Sequence, residues 1–242
     1  MTDESKSQTE EWIEKFKARY AYAYYSGRTL PQFAGVRGIP SAILLDPSGT
    51  VVWQGHPGTL TGDTIEQHLE GALPWALYDF PPEASKVAKA LKDDDLGDAL
   101  EEALELAAEG EFDRADEVVA AVEGQIKSRV GQVTEAYERG DFLKVEREGE
   151  RLARSLKGLP QAEEIEALVE KVDDDDFAQD VIKVQEKLER IREDLDDLSK
   201  KRQADSLIDD LEKLRDEIPG SYAATQADEL ITEVRKLRGK LR

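Results

Sequence analysis

The side chains that carry most protein chemistry are scarce in this chain. Its 242 residues include no cysteine, which excludes disulfides, thiolate catalysis and cysteine-ligated zinc. His56 and His68 are the only histidines, far apart in sequence and without a third partner at ligand spacing, so no metal site is expected. His56, in Gly55-His56-Pro57-Gly58, reads as a loop residue, because a general base would need an activated nucleophile and none is found. Two acidic runs, Asp93-Asp94-Asp95 and Asp173-Asp174-Asp175-Asp176, raise the question of calcium. Neither has the glycine and final glutamate that an EF-hand loop requires. Both precede predicted helices, where negative charge favours the positive N-terminal dipole, so capping is the preferred reading. With 54 acidic residues, pairing two of them as a glycosidase-type site would be chance. No catalytic residue and no cofactor-binding residue is assigned.

One stretch is more specific. Gly35-Val36-Arg37-Gly38-Ile39-Pro40 leads into Ser41-Ala42-Ile43-Leu44-Leu45, then Asp46-Pro47-Ser48-Gly49, then Thr50-Val51-Val52-Trp53-Gln54-Gly55. The β-branched and apolar runs predict strands over 41–45 and 50–54. Asp-Pro-Ser-Gly is turn chemistry, with proline at the second position and a glycine that tolerates positive φ. Proline has no ladder donor, so Pro40 marks a strand start or a cis bend. Around this pair the pattern predicts a helix over 8–18 with Trp12, Ile13 and Phe16 on one face. It also predicts an extended aromatic segment over 20–25, a short helix over 29–34, and a closing helix over 61–73. Thr61 would cap that last helix, and Ile65, Leu69 and Leu73 would line it.

Taken together, the Gly-Val-x-Gly-Ile-Pro run, the Leu45-Asp46-x-x-Gly49 turn and Gly55 resemble the thioredoxin-like superfamily. The nearest likeness is to its redoxin (TlpA-like) branch of bacterial thiol-disulfide oxidoreductases. The resemblance implies that Pro40 is the cis-proline facing a catalytic dithiol and that Ile39 helps shape substrate contact. It covers residues 1 to about 73 and only the C-terminal half of such a domain, since the first strand and the Cys-x-x-Cys helix have no counterpart. Without them a two-stranded hairpin is marginal in water. Another chain, the helical half, or a missing upstream segment would have to cover Leu44, Val52 and Trp53. An N-terminally truncated reading frame is favoured over a naturally degenerate packing module, because Met1 falls where a strand should be ending.

The chain changes character across Leu73–Pro82, where Trp75, Tyr78 and Phe80 suggest a packed connector. Residues 1–82 carry a net charge of −4 and residues 83–242 carry −17 of the total −21. Such a field repels phosphate backbones and anionic lipid, which argues against nucleic acid, and it suits a basic protein partner. No apolar run approaches the ~20 residues that span a bilayer, and the opening residues Met1–Lys6 have no signal-peptide core. The resemblance nonetheless implies an extracytoplasmic, periplasmic setting for a full-length version.

Past residue 82, apolar residues recur at helical spacing through a charged background. Helices are predicted over 83–92, 96–109, 113–139, 142–157 and 161–172, with breaks at Gly110, Gly140 and Gly158-Leu159-Pro160, and with Gly124 and Gly131 as points where the third could divide. Gly110-Glu111-Phe112 and Gly140-Asp141-Phe142 repeat a pattern of helix stop, acidic cap and packed aromatic, with looser versions at Asp94-Asp95-Leu96 and Asp175-Asp176-Phe177. This resembles tetratricopeptide-like helix hairpins, though at irregular spacing, so no groove residues are carried over. Three later stripes (Val181 to Leu198, Leu207 to Ile218 and Leu230 to Leu241) suit an antiparallel bundle core. The expected architecture is multidomain: an incomplete thioredoxin-like α/β domain with its connector over 1–82, and an acidic all-α helical-hairpin domain over 83–242. The expected function is that of a redoxin-type protein of thiol-disulfide oxidoreductase ancestry, inactive in this cysteine-free form. The alternative is a non-enzymatic helical-repeat scaffold for protein–protein interaction.

Overall fold

The computed structural model describes residues 6–17, 40–47, 49–69, 71–77, 79–195 and 198–241. The chain forms two compact units, Met1–Leu69 and Glu70–Arg242. The described part is mostly helical, with one two-stranded sheet.

In the first unit, helix α1 spans Lys6–Phe16 and stacks Trp12 on Phe16, one turn apart, with ring centroids at 4.9 Å. Strands β1 (Ala42–Leu45) and β2 (Val51–Gly55) pair antiparallel, Ala42 opposite Gly55 and Leu44 opposite Trp53, with an irregularity between Leu44 and Leu45. Asp46 builds the turn: its carboxylate accepts from the Thr50 N–H at 3.0 Å, and its carbonyl accepts from the Gly49 N–H at 2.9 Å. Helix α2 covers only Gly62–Glu66, capped by the Thr61 hydroxyl, which accepts from the Thr64 N–H at 3.3 Å. The predicted helix over 61–73 is therefore corrected to little more than one turn. Its intended apolar face gains nothing from burial, since Ile65 and Leu69 are exposed, and Gly71 leaves helical geometry at φ +79°. None of the described residues of this unit is fully buried. The expectations over 20–25 and 29–34, and the Gly35–Ile39 run, lie outside the described residues. A lone hairpin with two short helices does not by itself distinguish a thioredoxin-like domain from other α/β units.

The second unit is an array of helices: α3 (Ser85–Lys92), α4 (Leu96–Glu109), α5 (Ala115–Arg139), α6 (Phe142–Ser155), α7 (Pro160–Asp173), α8 (Asp176–Asp194), α9 (Lys201–Glu217) and α10 (Tyr222–Arg238). Short connections make most sequence neighbours pack as hairpins, though α8 lies chiefly against α6 and α10 rather than α9. Gly140 shows why the breaks fall where they do. It ends α5 at φ +82°, a conformation that costs glycine little, and its N–H returns to the Ala136 carbonyl.

The segment before α3 belongs to this unit rather than to the first. Trp75 lies 5.6 Å from Phe80 and 5.8 Å from Phe112, with the Arg114 guanidinium 4.3 Å above its ring. The units thus divide between residues 69 and 70, earlier than the 82/83 boundary expected from composition, because Trp75 and Phe80 pack against the helical core; Tyr78 lies outside the described residues. Helix α5 runs unbroken through Gly124 and Gly131. Gly124 instead admits a close backbone approach: a Cβ on Gly71 would lie 2.9 Å from the Gly124 carbonyl carbon.

Two large apolar cores result, beside a small cluster of Ala84, Leu106 and Ala115. One is built from α3 to α8 around Leu96, Val118, Val122, Leu152, Leu156 and Ile165, and the other from α8 to α10 around Leu211, Leu230 and Val234. Helix α8 serves both, giving Ala178 and Ile182 to the first and Val181, Val184 and Leu188 to the second. Phe142 packs partly against each. The three stripes expected as intrachain seams are largely in the second core, where full burial of each Leu or Val contributes ~1.5–3 kcal/mol.

Candidate functional site

The residues that the redoxin resemblance singles out fall in the first unit. Pro40 is exposed in a bend immediately before β1, and Ile39 lies outside the described residues. His56 is exposed, and its Nδ1 accepts from the Gly58 N–H at 3.1 Å, so it caps the single 3-10 turn over Pro57–Thr59. His68 lies in the turn that follows α2. Among the described residues no group of three or more His, Asp or Glu is placed to hold a metal ion.

The acidic runs act as caps. Asp95 accepts from the Asp98 N–H at 3.1 Å, and Asp175 accepts from Phe177 and Ala178 at 2.8 and 3.3 Å. Phe177 departs from expectation. Instead of packing into a helix pair as Phe142 does, it is 53% exposed.

Two concave features mark the helical unit. One is a cavity of about 240 Å³ edged by Lys144, Arg147, Gln185, Arg192 and Gln226. Gln185, 2% exposed, uses both ends of its amide there. Its oxygen accepts from the Leu143 N–H at 3.0 Å, and its nitrogen donates to Asp141 Oδ1 at 3.0 Å and Gln226 Oε1 at 3.1 Å. Arg147 is turned to Glu189 at 2.7 Å. Gln185, Asp141, Gln226 and Arg147 are thus engaged in joining α6, α8 and α10.

The other is a furrow between α6 and α7. The two helices approach closely at Gly149, where a Cβ would lie 2.6 Å from Val169 Cγ2. Beside that crossing the furrow encloses about 440 Å³ over a floor of Ala153 and Val169. It continues past Ala153 to Leu159 and Ala162 at one end, a further space of about 710 Å³. At the other end it shares Glu170 and Asp174 with a third hollow reaching Asp176. Its carboxylates come from α6 (Glu150), from α7 (Glu163, Glu166, Glu170, Asp173) and from the turn after it (Asp174, Asp175, Asp176). Three cations also line it, Arg154 and Lys157 toward one end and Lys171 toward the other.

Carboxylates outnumber cations along the furrow. Outside it some acids are paired, Asp94 with Arg129 at 2.6 Å, Glu117 with Arg114 at 2.6 Å and Glu189 with Arg147 at 2.7 Å, while others such as Glu101, Glu105 and Glu135 make no ion pair among the described residues. Among the described residues none of the furrow carboxylates has such a partner. Nearby on α6, partial burial and then the charges of Asp173 and Glu186 push the Glu146 carboxyl above its ordinary value. Sequence reasoning missed the furrow because its acids are spread over two helices. The signal available was the i, i+3, i+7 spacing of Glu163, Glu166 and Glu170, which places them on one helix face.

No family model matches this chain, and neither the curated proteins nor the solved structures include one similar to it.

Proposed function

We propose that this protein is a non-enzymatic scaffold whose acidic helical unit holds a protein partner. The observation that carries the reading is the α6/α7 furrow, where carboxylates outnumber the cations Arg154, Lys157 and Lys171 and form no ion pair among the described residues. An excess of negative charge favours a partner that brings opposite charge. The absence of any cysteine removes the attacking thiolate that thiol–disulfide exchange requires, so the redoxin-like segment is read as ancestry without activity. No helix among the described residues is long and apolar enough to cross a membrane.

The test is retention of protein on the immobilised full chain at low and high salt, followed by reconstitution with the purified partner. A partner released by salt supports the scaffold. Failure to retain any protein in either condition overturns it.

A second reading, descent from a redoxin-type oxidoreductase, is supported by Pro40 standing directly before an antiparallel hairpin closed by Asp46 and Gly49. Its test is the nucleotide sequence upstream of codon 1. An in-frame strand followed by Trp-Cys-x-x-Cys supports it, and an in-frame stop codon close by counts against it.

A further inference from the structure

A strap over residues 71–80 lies on the helices without joining them. None of its described residues is fully buried, whereas Ala84 and Val87 just beyond it are. Among the described residues its one backbone hydrogen bond runs from the Asp79 N–H to the Ala76 carbonyl at 2.8 Å, inside the strap. Three contacts hold it down. The Gly71 backbone meets that of Gly124 in α5. Trp75 packs beside Phe112 with the Arg114 guanidinium above its ring, and Phe80 rests against the cluster of Ala84, Leu106 and Ala115. Arg114 is in turn fixed by Glu117, whose carboxylate accepts from it at 2.6 and 3.1 Å. With no described backbone hydrogen bond to the helices, lifting the strap costs packing contacts alone, as in segments that open locally.

We infer that residues 71–80 are a self-ligand: they occupy a notch at the α4–α5 turn where a partner segment carrying Trp and Phe five positions apart docks in their place. The segment already seated there defines the occupant. Its first aromatic lies under a guanidinium, and indole is the ring that cations favour most. Five positions is off the three- and four-residue steps of a helix face, and an odd spacing puts side chains on opposite faces of a strand. The Trp75 and Phe80 rings nevertheless meet at 5.6 Å, so the backbone between them turns, through the Asp79-to-Ala76 bond. Pro74 and Pro81 bracket the pair. The partner segment is accordingly a proline-flanked turn rather than a helix or a strand. With residues 83–242 at net −17, its flanks are neutral or basic.

The experiment uses the full chain and a fluorescein-labelled synthetic copy of residues 71–82, with binding read by anisotropy. A control peptide carries Trp75→Ala and Phe80→Ala. The same two substitutions made in the chain leave the notch without its own aromatics, and that variant should take up the peptide. The wild-type chain, whose strap holds the notch, should bind it roughly tenfold or more weakly. Adding Arg114→Ala to the double variant removes the cation and should weaken binding about threefold. Gly71→Ala drives a Cβ to 2.9 Å from the Gly124 backbone, so it should loosen the strap, leave the notch intact and bind the peptide more tightly than wild type. Thermal midpoints and helical circular dichroism report whether each variant stays folded.

Loss of the helical signal in the double variant would make the strap a structural part of the core and overturn the self-ligand. A folded double variant that ignores the peptide overturns the notch as a docking site. Equal binding to wild type and double variant, or equal binding of the control peptide, places the peptide elsewhere and overturns it too. Gly71→Ala that binds no better than wild type overturns the strap as the competitor. The scaffold reading stands or falls separately, on protein retained by the full chain and released by salt.

Discussion

Ser155, at the end of α6, ties down Asp94, sixty-one positions earlier. Its hydroxyl donates to the Asp94 carbonyl oxygen and accepts from the Leu96 N–H at 3.2 Å, with Ser155 only 5% exposed. Asp94 is one of two non-glycine residues described at positive φ, +59°, a conformation aspartate tolerates better than most. Its carboxylate is held by Arg129 at 2.6 Å and by Arg151 at 3.2 Å. The start of α4 is thus fixed by a residue two helices further along the chain.

Removing that hydroxyl should be costly for so small a change. Ser155→Ala leaves the buried Leu96 N–H without an acceptor, which costs about 1–3 kcal/mol. The measurement is urea denaturation, with the midpoint falling and the slope unchanged. An unshifted midpoint would mean that the bond contributes nothing.

Gln185 makes a similar prediction with a local readout. Gln185→Ala removes the acceptor for the Leu143 N–H and the donor to Asp141 and Gln226, and should cost about 1–3 kcal/mol. Hydrogen exchange at the Leu143 amide should quicken more than exchange in α4, and equal change at both sites would refute a specific role.

Glu146 predicts a pH dependence of definite sign. Burial, then Asp173 and Glu186, raise its carboxyl above the ordinary range in the folded state. Above the raised value the folded chain carries a disfavoured charge. Below the ordinary glutamate range both folded and unfolded chains are protonated, and the penalty is gone. Glu146→Gln should therefore stabilise the protein at neutral pH, with the gain fading as pH falls through the raised value toward the ordinary one. Thermal midpoints across that range decide the matter.

Two glycines should respond in opposite directions to the same substitution. At Gly97 a Cβ would lie 2.4 Å from the Lys157 carbonyl oxygen, so Gly97→Ala should cost about 1–3 kcal/mol as backbone is displaced. Gly131 sits inside α5, and a methyl group there would meet nothing within 4 Å, so Gly131→Ala should stabilise by about 0.5–1 kcal/mol. Paired thermal melts would show both signs.

Local signals described the helical unit well. Gly110 and Gly140 end helices where expected, and the stripes at Val181, Leu211 and Leu230 are buried as their spacing implied. Periodicity is a property of nearby residues, so it can be read without the fold. What escaped was tertiary. Gly124 looks like a helix breaker until Gly71 is seen lying against it, and Trp75 looks like part of a linker until Arg114 is found above its ring. Phe177 follows an acidic cap just as Phe142 does, yet only Phe142 has neighbours to bury it. The furrow escaped for the same reason, since no single helix contains it.

The double-sided packing of α8 limits where this protein can be shortened. A chain ending after α8 would keep its first core but turn Val181, Val184 and Leu188 toward water in one continuous strip. Such a fragment would be sticky rather than merely smaller, and its failure would appear as aggregation instead of a lowered melting point. The last two helices thus cover the face of α8 that the first core leaves bare.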